Sequence, residues 1–277
     1  ERASRVGAAL ARQFGAEVHL VTVVEPPAAY RQLVSLVQRA TPMDETMEGA
    51  RARLAATANG AALSALRVTS HVRAGKPFAE IIGAAREADV DLVVVGTKSL
   101  HGPVRLLLGS TAERVLRKAP VPVLVVKKEL SSSPSLVLAP TDFSSAAGPA
   151  VVEAAALARR WGARLVLLHA VEPIAEAYVW PVESGTVALY LAEPEELDPE
   201  WEAFVAPLDL RGIAWERKTL RGYATPTLTE TAAQLGADLI VMGTHGRSGL
   251  AHVLLGSVAE RVAREASCSI LTVRPGE

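Results

Sequence analysis

The sequence predicts two tandem α/β domains, each built on a doubly wound, five-stranded parallel sheet with strand order 3-2-1-4-5. One observation is an internal duplication, in which GAEVHLVTVVEP at 15–26 matches GARLVLLHAVEP at 162–173, and 91–119 matches 238–266. Both pairs lie at the same offset of 147 residues, which indicates a repeated domain. The other observation is that apolar, β-branched runs alternate with helical patterns. This alternation is typical of a parallel sheet covered on both faces.

The second copy, residues 135–277, shows the order of the elements. Apolar or alternating runs predict five strands, at 135–140, 163–171, 213–220, 238–243 and 269–275. Apolar residues at helical spacing predict four helices, at 145–162, 198–208, 225–236 and 256–266. Gly162 is placed to end the first of these helices. Ser257 with Glu260, and Ser110 with Glu113, form the S-x-x-E pattern of a capping box.

The first copy, residues 1–128, begins late relative to the second, and the polar segment 129–135 links the two. Glu1 aligns with Gly148, so nothing in the first copy matches the strand and loop at 136–147. That strand is central in the predicted sheet. We therefore expect about a dozen residues to precede Glu1 in the natural protein, a number taken from the length of the unmatched segment.

Composition excludes several classes of partner. Apolar residues make up 49% of the chain and aromatic residues 4%, so the cores must consist of Val, Leu, Ile and Ala. The net charge is −1, which gives no electrostatic footprint for nucleic acid. Cys268 is the single cysteine, and no apolar run approaches the roughly 18 residues that span a bilayer. We expect a cytoplasmic protein with neither nucleic-acid nor membrane partners.

The spacing of glycines predicts a ligand site in the second copy. In open parallel sheets, ligands lie beyond the carboxyl ends of the strands, where the strand order reverses. Two loops, 140–144 and 243–249, face this position. Gly243 and Gly246 allow the backbone to approach a ligand closely. Gly256 and Ser257 open a helix whose first N–H groups, together with the helix dipole, favour an anion such as phosphate.

Each of these features also has an interpretation that needs no ligand. A capping serine satisfies the helix start by itself. Asp142 either hydrogen-bonds a ribose or an exocyclic amine, or caps the following helix. His245 and Arg247 either reach phosphate or are solvated. The acidic stretch 172–210 is either a surface excursion or a lid or docking surface.

Three segments together resemble the universal stress protein family, in its ATP-binding subgroup: PTDFS at 140–144, LLHAVEP at 167–173 and the run at 237–262. The family pattern G-x2-G-x9-G-[S/T] is met by Gly243, Gly246, Gly256 and Ser257. The resemblance covers both copies and implies a Rossmann-like, adenine-nucleotide α-hydrolase-like fold.

The resemblance also implies positions around a bound adenine nucleotide. Those beside the adenosine are Pro140, Thr141, Asp142, Ala170, Met242 and Gly243. Those at the phosphates are Gly246, Gly256, Ser257 and Val258, whose main-chain N–H groups are the donors. To these we add His245 and Arg247 as candidate phosphate contacts from their own side-chain chemistry. The implied cofactor is ATP, with Mg²⁺ or Mn²⁺ held through the phosphates, since no protein cluster of metal ligands is evident in the sequence.

The first copy departs from this pattern. It reads Gly96-x2-Ser99-x9-Gly109-Ser110, with Ser99 in place of the second glycine and Lys98 in place of the histidine. The corresponding positions form a weaker site, made of Val23, Val95, Gly96, Gly109, Ser110 and Thr111. Either the first copy has drifted to a structural role, or Lys98 contacts the phosphates directly.

The leading functional prediction is an ATP-binding regulatory or stress-response protein with little or no turnover, at most slow ATP hydrolysis, and no assigned catalytic residue. AGKPF at 74–78 lacks the spacing of a Walker motif. One alternative is an adenylating enzyme, although PTDFSS at 140–145 lacks the glycines of such loops. The other is a scaffold that dimerises without a ligand. The resemblance implies that the final strands, 121–127 and 269–275, pair with each other as an intrachain pseudo-dimer or with a second chain as a homodimer.

Overall fold

The computed structural model describes residues 2–26, 42–97, 108–130, 133–172, 197–244 and 255–274. The chain divides into two compact units, Glu1–Ser132 and Ser133–Glu277, whose boundary falls within the polar segment 129–135. Within the described ranges, no helix is long and apolar enough to cross a bilayer.

The first unit alternates helices with short strands. Its described elements are α1 (Arg2–Phe14), β1 (Val18–Val24), α2 (Pro42–Ala58), β2 (Val68–Ala74), α3 (Pro77–Glu87), β3 (Val93–Gly96), α4 (Ser110–Lys118) and β4 (Val123–Val126). Strand β1 pairs with β2, and β3 pairs with β4, both in parallel.

The second unit contains a parallel sheet of five strands. Its described elements are β5 (Leu136–Pro140), α5 (Gly148–Trp161), β6 (Arg164–Val171), α6 (Asp198–Val205), β7 (Trp215–Arg221), α7 (Ala224–Gln234), β8 (Leu239–Gly243), α8 (Ser257–Glu265) and β9 (Ser269–Val273). The strands pair in the order β7-β6-β5-β8-β9. Numbered within the unit, this is the order 3-2-1-4-5, so the predicted tandem α/β fold is confirmed. Strand β5 lies at the centre, and all five of its residues are buried.

The predicted elements of the second unit differ from the observed ones only at their ends. The largest differences are three residues long: α5 begins at Gly148 and not at residue 145, and α6 ends at Val205 and not at residue 208. The residues that precede Gly148 form a turn, in which the N–H of Ala147 donates to the Ser144 carbonyl at 3.0 Å. Gly162 ends α5 in the left-handed conformation, with φ of 65°, as its position predicted.

The central strand accounts for a difference in burial between the units. In the second unit β6 lies between β5 and β7, and Leu165–Leu168 are completely buried. Strand β1 aligns with β6 and is as apolar, yet every residue of β1 is only half-buried. Among the described residues of the first unit, no strand takes the place that β5 has in the second, and β1 pairs on one side alone.

The amino end of β5 is fixed by a single side chain, Asp238, just before β8. Its Oδ2 accepts hydrogen bonds from the N–H of Ser135 at 2.7 Å, the hydroxyl of Ser135 at 3.0 Å and the N–H of Leu136 at 3.1 Å. The N–H of Asp238 in turn donates to the Leu136 carbonyl at 3.0 Å. These bonds set the register of β5 against β8 from the end of the sheet opposite the predicted ligand loops.

Helix α5 carries a carboxylate at a position that is apolar in the first copy. Burial raises the pKa of Glu153, while the aligned Val6 of α1 is a core residue with 3% of its surface exposed. A carboxyl whose pKa is higher in the folded state contributes stability below its unfolded pKa and loses it as the pH rises through the folded value. At neutral pH the Glu153 carboxylate therefore destabilises the second unit.

We expect Glu153→Gln to raise the thermal midpoint at pH 7, because the amide fills the same space without a charge. The gain should shrink toward pH 4, where the parent carboxyl is protonated. Circular dichroism melts of the full chain across this range measure it, with Glu202→Gln at an exposed position of α6 as the matched control. A gain that does not depend on pH, or a loss at pH 7, would contradict the burial argument.

Candidate functional site

Three neighbouring strands of the second unit bring the predicted adenosine residues to one edge of the sheet. Strand β5 ends at Pro140, β8 ends at Gly243, and Ala170 lies next to the last residue of β6. Since β5 pairs in parallel with both β6 and β8, these carboxyl ends meet at the same edge. Pro140 and Met242 are buried, while Ala170 and Gly243 are half-buried.

The loop 141–144, which follows β5, is ordered by its own polar side chains. Thr141, with 6% of its surface exposed, donates its N–H to the Leu168 carbonyl at 2.9 Å and accepts from the N–H of Phe143 at 2.9 Å. Asp142 Oδ1 accepts from the N–H of Ser144 at 3.0 Å and from its hydroxyl. The Asp142 carboxylate thus closes a turn with the backbone two residues further along the chain.

The interpretation of Asp142 as a helix cap is wrong. The N-cap of α5 is Ala147, and no side chain caps that helix. The bonds from Asp142 to Ser144 stay within the loop, before the helix begins. Asp142 is half-buried at the ligand edge of the sheet.

An aromatic cluster holds this loop against β6. Phe143 adopts a left-handed φ of 62° and stacks on His169 of β6, with ring centroids 4.3 Å apart. The Phe143 ring also meets Trp201 edge-on at 4.9 Å and Phe204 at 5.8 Å, both from α6. We refer to Phe143, His169, Trp201 and Phe204 as the aromatic cluster. Its packing stabilises a backbone conformation that a phenylalanine rarely adopts.

His169 and Trp201 anchor the aromatic cluster by hydrogen bonds. His169 Nδ1 lies 2.8 Å from the carbonyl oxygen of Thr141, and because a carbonyl only accepts, this nitrogen carries the hydrogen. Trp201, with 1% of its surface exposed, donates its indole N–H to the Thr219 hydroxyl at 2.8 Å. This cluster is not among the residues predicted from the sequence. The available signal was the histidine within LLHAVEP, together with a tryptophan in a chain poor in aromatic residues.

The start of α8 overturns the predicted capping box. The N-cap residue is Gly256 and no side chain caps the helix, while Ser257 is exposed in the first helical position. Glu260 pairs instead with Arg264, one turn along the helix, at 3.1 Å. The N–H groups of Ser257 and Val258 belong to the first turn, which has no partners within the helix.

Gly256 joins this helix start to the end of β8. Its N–H donates to the Thr244 carbonyl at 2.7 Å, and the N–H of Thr244 donates to the Val273 carbonyl at 3.0 Å. Thr244 itself has 2% of its surface exposed. A single hydrogen bond therefore joins the N-cap of α8 to Thr244, the residue that follows Gly243. Since the N–H of Gly256 is engaged, the donors left at the helix start are those of the residues after it.

The first unit repeats the same helix start. Gly109 is the N-cap of α4, no side chain caps the helix, and Ser110 is exposed. Glu113 pairs with Arg117 at 3.6 Å, so the second predicted capping box is also wrong. The remaining described positions of the weaker site are Val23 near the end of β1, Val95 and Gly96 at the end of β3, and Thr111 in α4.

Part of the predicted site lies outside the described residues. These positions are His245, Gly246 and Arg247 in the second copy, and Lys98 and Ser99 in the first. What the structure brings together is the end of β5 with its loop, the ends of β6 and β8, and the start of α8.

Comparisons with known proteins match both units separately. The model of the universal stress protein family matches residues 1–127 and 136–274. A universal stress protein of Mycolicibacterium smegmatis is 33% identical over 221 residues, which cover 76% of this chain and 70% of that protein. One from Thermus aquaticus is 33% identical over 139 residues, covering 50% of this chain and 97% of that protein.

Solved structures of similar fold extend over the whole chain. The structure of a universal stress protein from Archaeoglobus fulgidus aligns with a TM-score of 0.69 at 22% identity, covering 100% of this chain and 92% of that chain. A putative universal stress protein from Pseudomonas aeruginosa aligns with a TM-score of 0.60 at 17% identity, covering 96% and 95%. At these identities the likeness is one of fold.

Proposed function

Since the chain belongs to the universal stress protein family, we propose that its second unit binds ATP at the carboxyl edge of the sheet and acts by binding, with little or no turnover. The observation that carries the proposal is the uncapped start of α8, placed beside the end of β8 and across from the ordered loop 141–144. The function would be regulatory, as part of a stress response.

The phosphates belong at the start of α8. The interpretation that needed no ligand was a capping box formed by Ser257 and Glu260. It is excluded because the N-cap is Gly256 and no side chain caps the helix. The exposed Ser257 and its neighbour Val258 have first-turn N–H groups, which with the helix dipole favour negative charge. Gly256, whose N–H is bonded to Thr244, contributes by leaving room for a phosphate and not by donating to it. Mg²⁺ or Mn²⁺ would be held by phosphate oxygens.

The adenosine belongs between β5, β6 and β8. Asp142 has its Oδ1 fixed by Ser144, so the carboxylate is preorganised to accept a hydrogen bond from a ribose hydroxyl or from the adenine amino group. Ala170 and Met242 offer apolar surface on the strands to either side. The aromatic cluster keeps the loop in place through His169, which bonds the Thr141 carbonyl.

Binding without efficient chemistry agrees with the residues available. We assign no catalytic residue. The polar side chains that the structure describes at the carboxyl edge of the sheet have structural partners: Thr141 with Phe143, and Asp142 with Ser144. Pairing of β4 and β9, with each other or with a second chain, and location in the cytoplasm stay predictions.

Mass spectrometry under native conditions tests the proposal on the full chain as purified. We expect an added mass equal to ATP, and calorimetry with Mg²⁺ should show tighter binding of ATP than of GTP. Multiple turnovers that release AMP in the presence of a co-substrate would favour the adenylating alternative. Absence of bound nucleotide, with no heat of binding at millimolar ATP, would overturn the proposal and favour a scaffold.

A further inference from the structure

Two histidines of the first unit face each other, away from the carboxyl edge of its strands. His19 Nδ1 on β1 lies 3.0 Å from His71 Nε2 on β2, and the rings meet end to end, with centroids 5.3 Å apart and planes 11° from parallel. In the parallel register His19 is opposite Thr69 and His71 is opposite Val21. The two histidines therefore project from the same face of the strand pair, diagonally across it.

The second copy has no such pair. The residues at the same offset are Val166 on β6 and Lys218 on β7. The nucleotide positions also lie elsewhere, because His19 is the second residue of β1 and the weaker site uses Val23 near its end. The histidine pair is thus particular to the first unit and separate from the proposed nucleotide site.

The hydrogen bond and the exposure of the pair suit metal binding. Ring nitrogens at 3.0 Å require a hydrogen on one and a lone pair on the other. Both histidines are half-exposed, so an ion in solution can reach the rings, and neutral imidazole is the form that ligates metals.

We propose that His19 and His71 form a bidentate site for a divalent transition-metal ion, with Cu²⁺ preferred over Ni²⁺ and Zn²⁺. With metal–nitrogen bonds of about 2.0–2.1 Å, two nitrogens 3.0 Å apart subtend about 94° at the metal. This is close to the right angle between neighbouring ligands of tetragonal Cu²⁺ or Ni²⁺. The order of affinities of divalent ions also places Cu²⁺ first.

Binding replaces the hydrogen shared by the two rings with the metal. The ring that carried this hydrogen stays neutral because the proton moves, through solvent, to its other nitrogen. The rings point at each other along the hydrogen bond, so each must turn by roughly 40° to direct its lone pair to the ion. Among the described residues no group of three or more His, Cys, Asp or Glu side chains could hold a metal, so water completes the coordination sphere. The affinity then depends on having both imidazoles, and losing either one should be as damaging as losing both.

The test uses the full chain, free of any affinity tag, titrated with Cu²⁺ in a calorimeter and by electron paramagnetic resonance. We expect hyperfine coupling to two imidazole nitrogens in the parent protein. His19→Ala and His71→Ala should each lower the Cu²⁺ affinity about tenfold or more, a change of about 1.4 kcal/mol or more. The double variant should be no weaker than either single one, and His101→Ala and His252→Ala serve as controls.

A second measurement separates metal binding from folding defects. His71→Gln keeps a polar side chain of similar size, and melts without metal report whether the variants fold. In the parent, Cu²⁺ should raise the unfolding midpoint, and in the folded variants it should not. A parent spectrum without two-nitrogen coupling, or coupling that survives His19→Ala and His71→Ala, would overturn the proposal. So would coupling that is lost in the control variants.

Discussion

Replacing Gly256 with valine should abolish ATP binding by the second unit while leaving its fold nearly intact. The backbone at Gly256, with φ of −58° and ψ of 144°, is one that valine adopts without strain, and the N–H can still donate to Thr244. The added side chain would occupy the space through which a phosphate approaches the first turn of α8. We expect an affinity loss of at least about 100-fold, or about 3 kcal/mol.

Calorimetry with ATP and Mg²⁺ measures this loss, and melting of the same variant reports on the fold. The matched control is Gly109→Val, because Gly109 is the N-cap of α4 with nearly the same backbone angles, φ of −65° and ψ of 148°. That variant should keep the tight site of the second unit. Unchanged affinity in Gly256→Val would remove the assignment of the phosphates to the start of α8.

The second large effect that we expect is a difference in ATP affinity between the two copies. Each chain should have one tight site, in the second unit. Both helix starts have the same geometry, so the described residues alone would allow two sites. The sequences differ at Ser99, which stands where the second copy has Gly246. If this loop position requires a positive φ, a residue other than glycine costs on the order of 1 kcal/mol, or several-fold in affinity, before any contact with phosphate.

The stoichiometry of ATP binding to the full chain tests the asymmetry. In a Gly256→Val background the remaining binding should be weak or absent and should belong to the first unit. Adding Ser99→Gly to that background should strengthen it, and Ser99→Ala, which keeps a Cβ, should not. Two equivalent tight sites in the parent protein would refute the asymmetry.

The sequence was sufficient for the fold because the fold depends on patterns that repeat. The constant offset between the copies defined the two domains, and the alternation of apolar strands with amphipathic helices led to the strand order seen in the second unit. The same alternation predicted that Asp142, Gly243 and Gly256 lie at one edge of the sheet, because the carboxyl ends of parallel strands meet at the same edge.

The predictions that proved wrong concern the partners of side chains at the helix starts. The S-x-x-E pattern at Ser257 and Glu260 is compatible with a capping box, but the pattern does not determine which residue becomes the N-cap. Gly256 takes that position with extended backbone angles, and Glu260 has Arg264 one turn away on its own helix. The competing ion pair, at i, i+4 spacing, is equally visible in the sequence.

The aromatic cluster could not have been predicted for a different reason. His169 and Trp201 lie far from Phe143 along the chain, so their contacts exist only after β6 and α6 have packed. The left-handed φ of Phe143 has no local signal, because the sequence offers neither glycine nor asparagine there. The role of Asp142 in closing its own turn depends on that same conformation.

The way β5 is held has a consequence for the motions of the second unit. This strand is buried at every residue, pinned by Asp238 at its amino end, and continued at its carboxyl end by the bond from Thr141 to the Leu168 carbonyl. No part of it can open locally without exposing the sheet on both sides. Its amide hydrogens should therefore exchange with solvent only through global unfolding. A nucleotide bound at its carboxyl end would slow that exchange along the whole strand, and not merely beside the ligand.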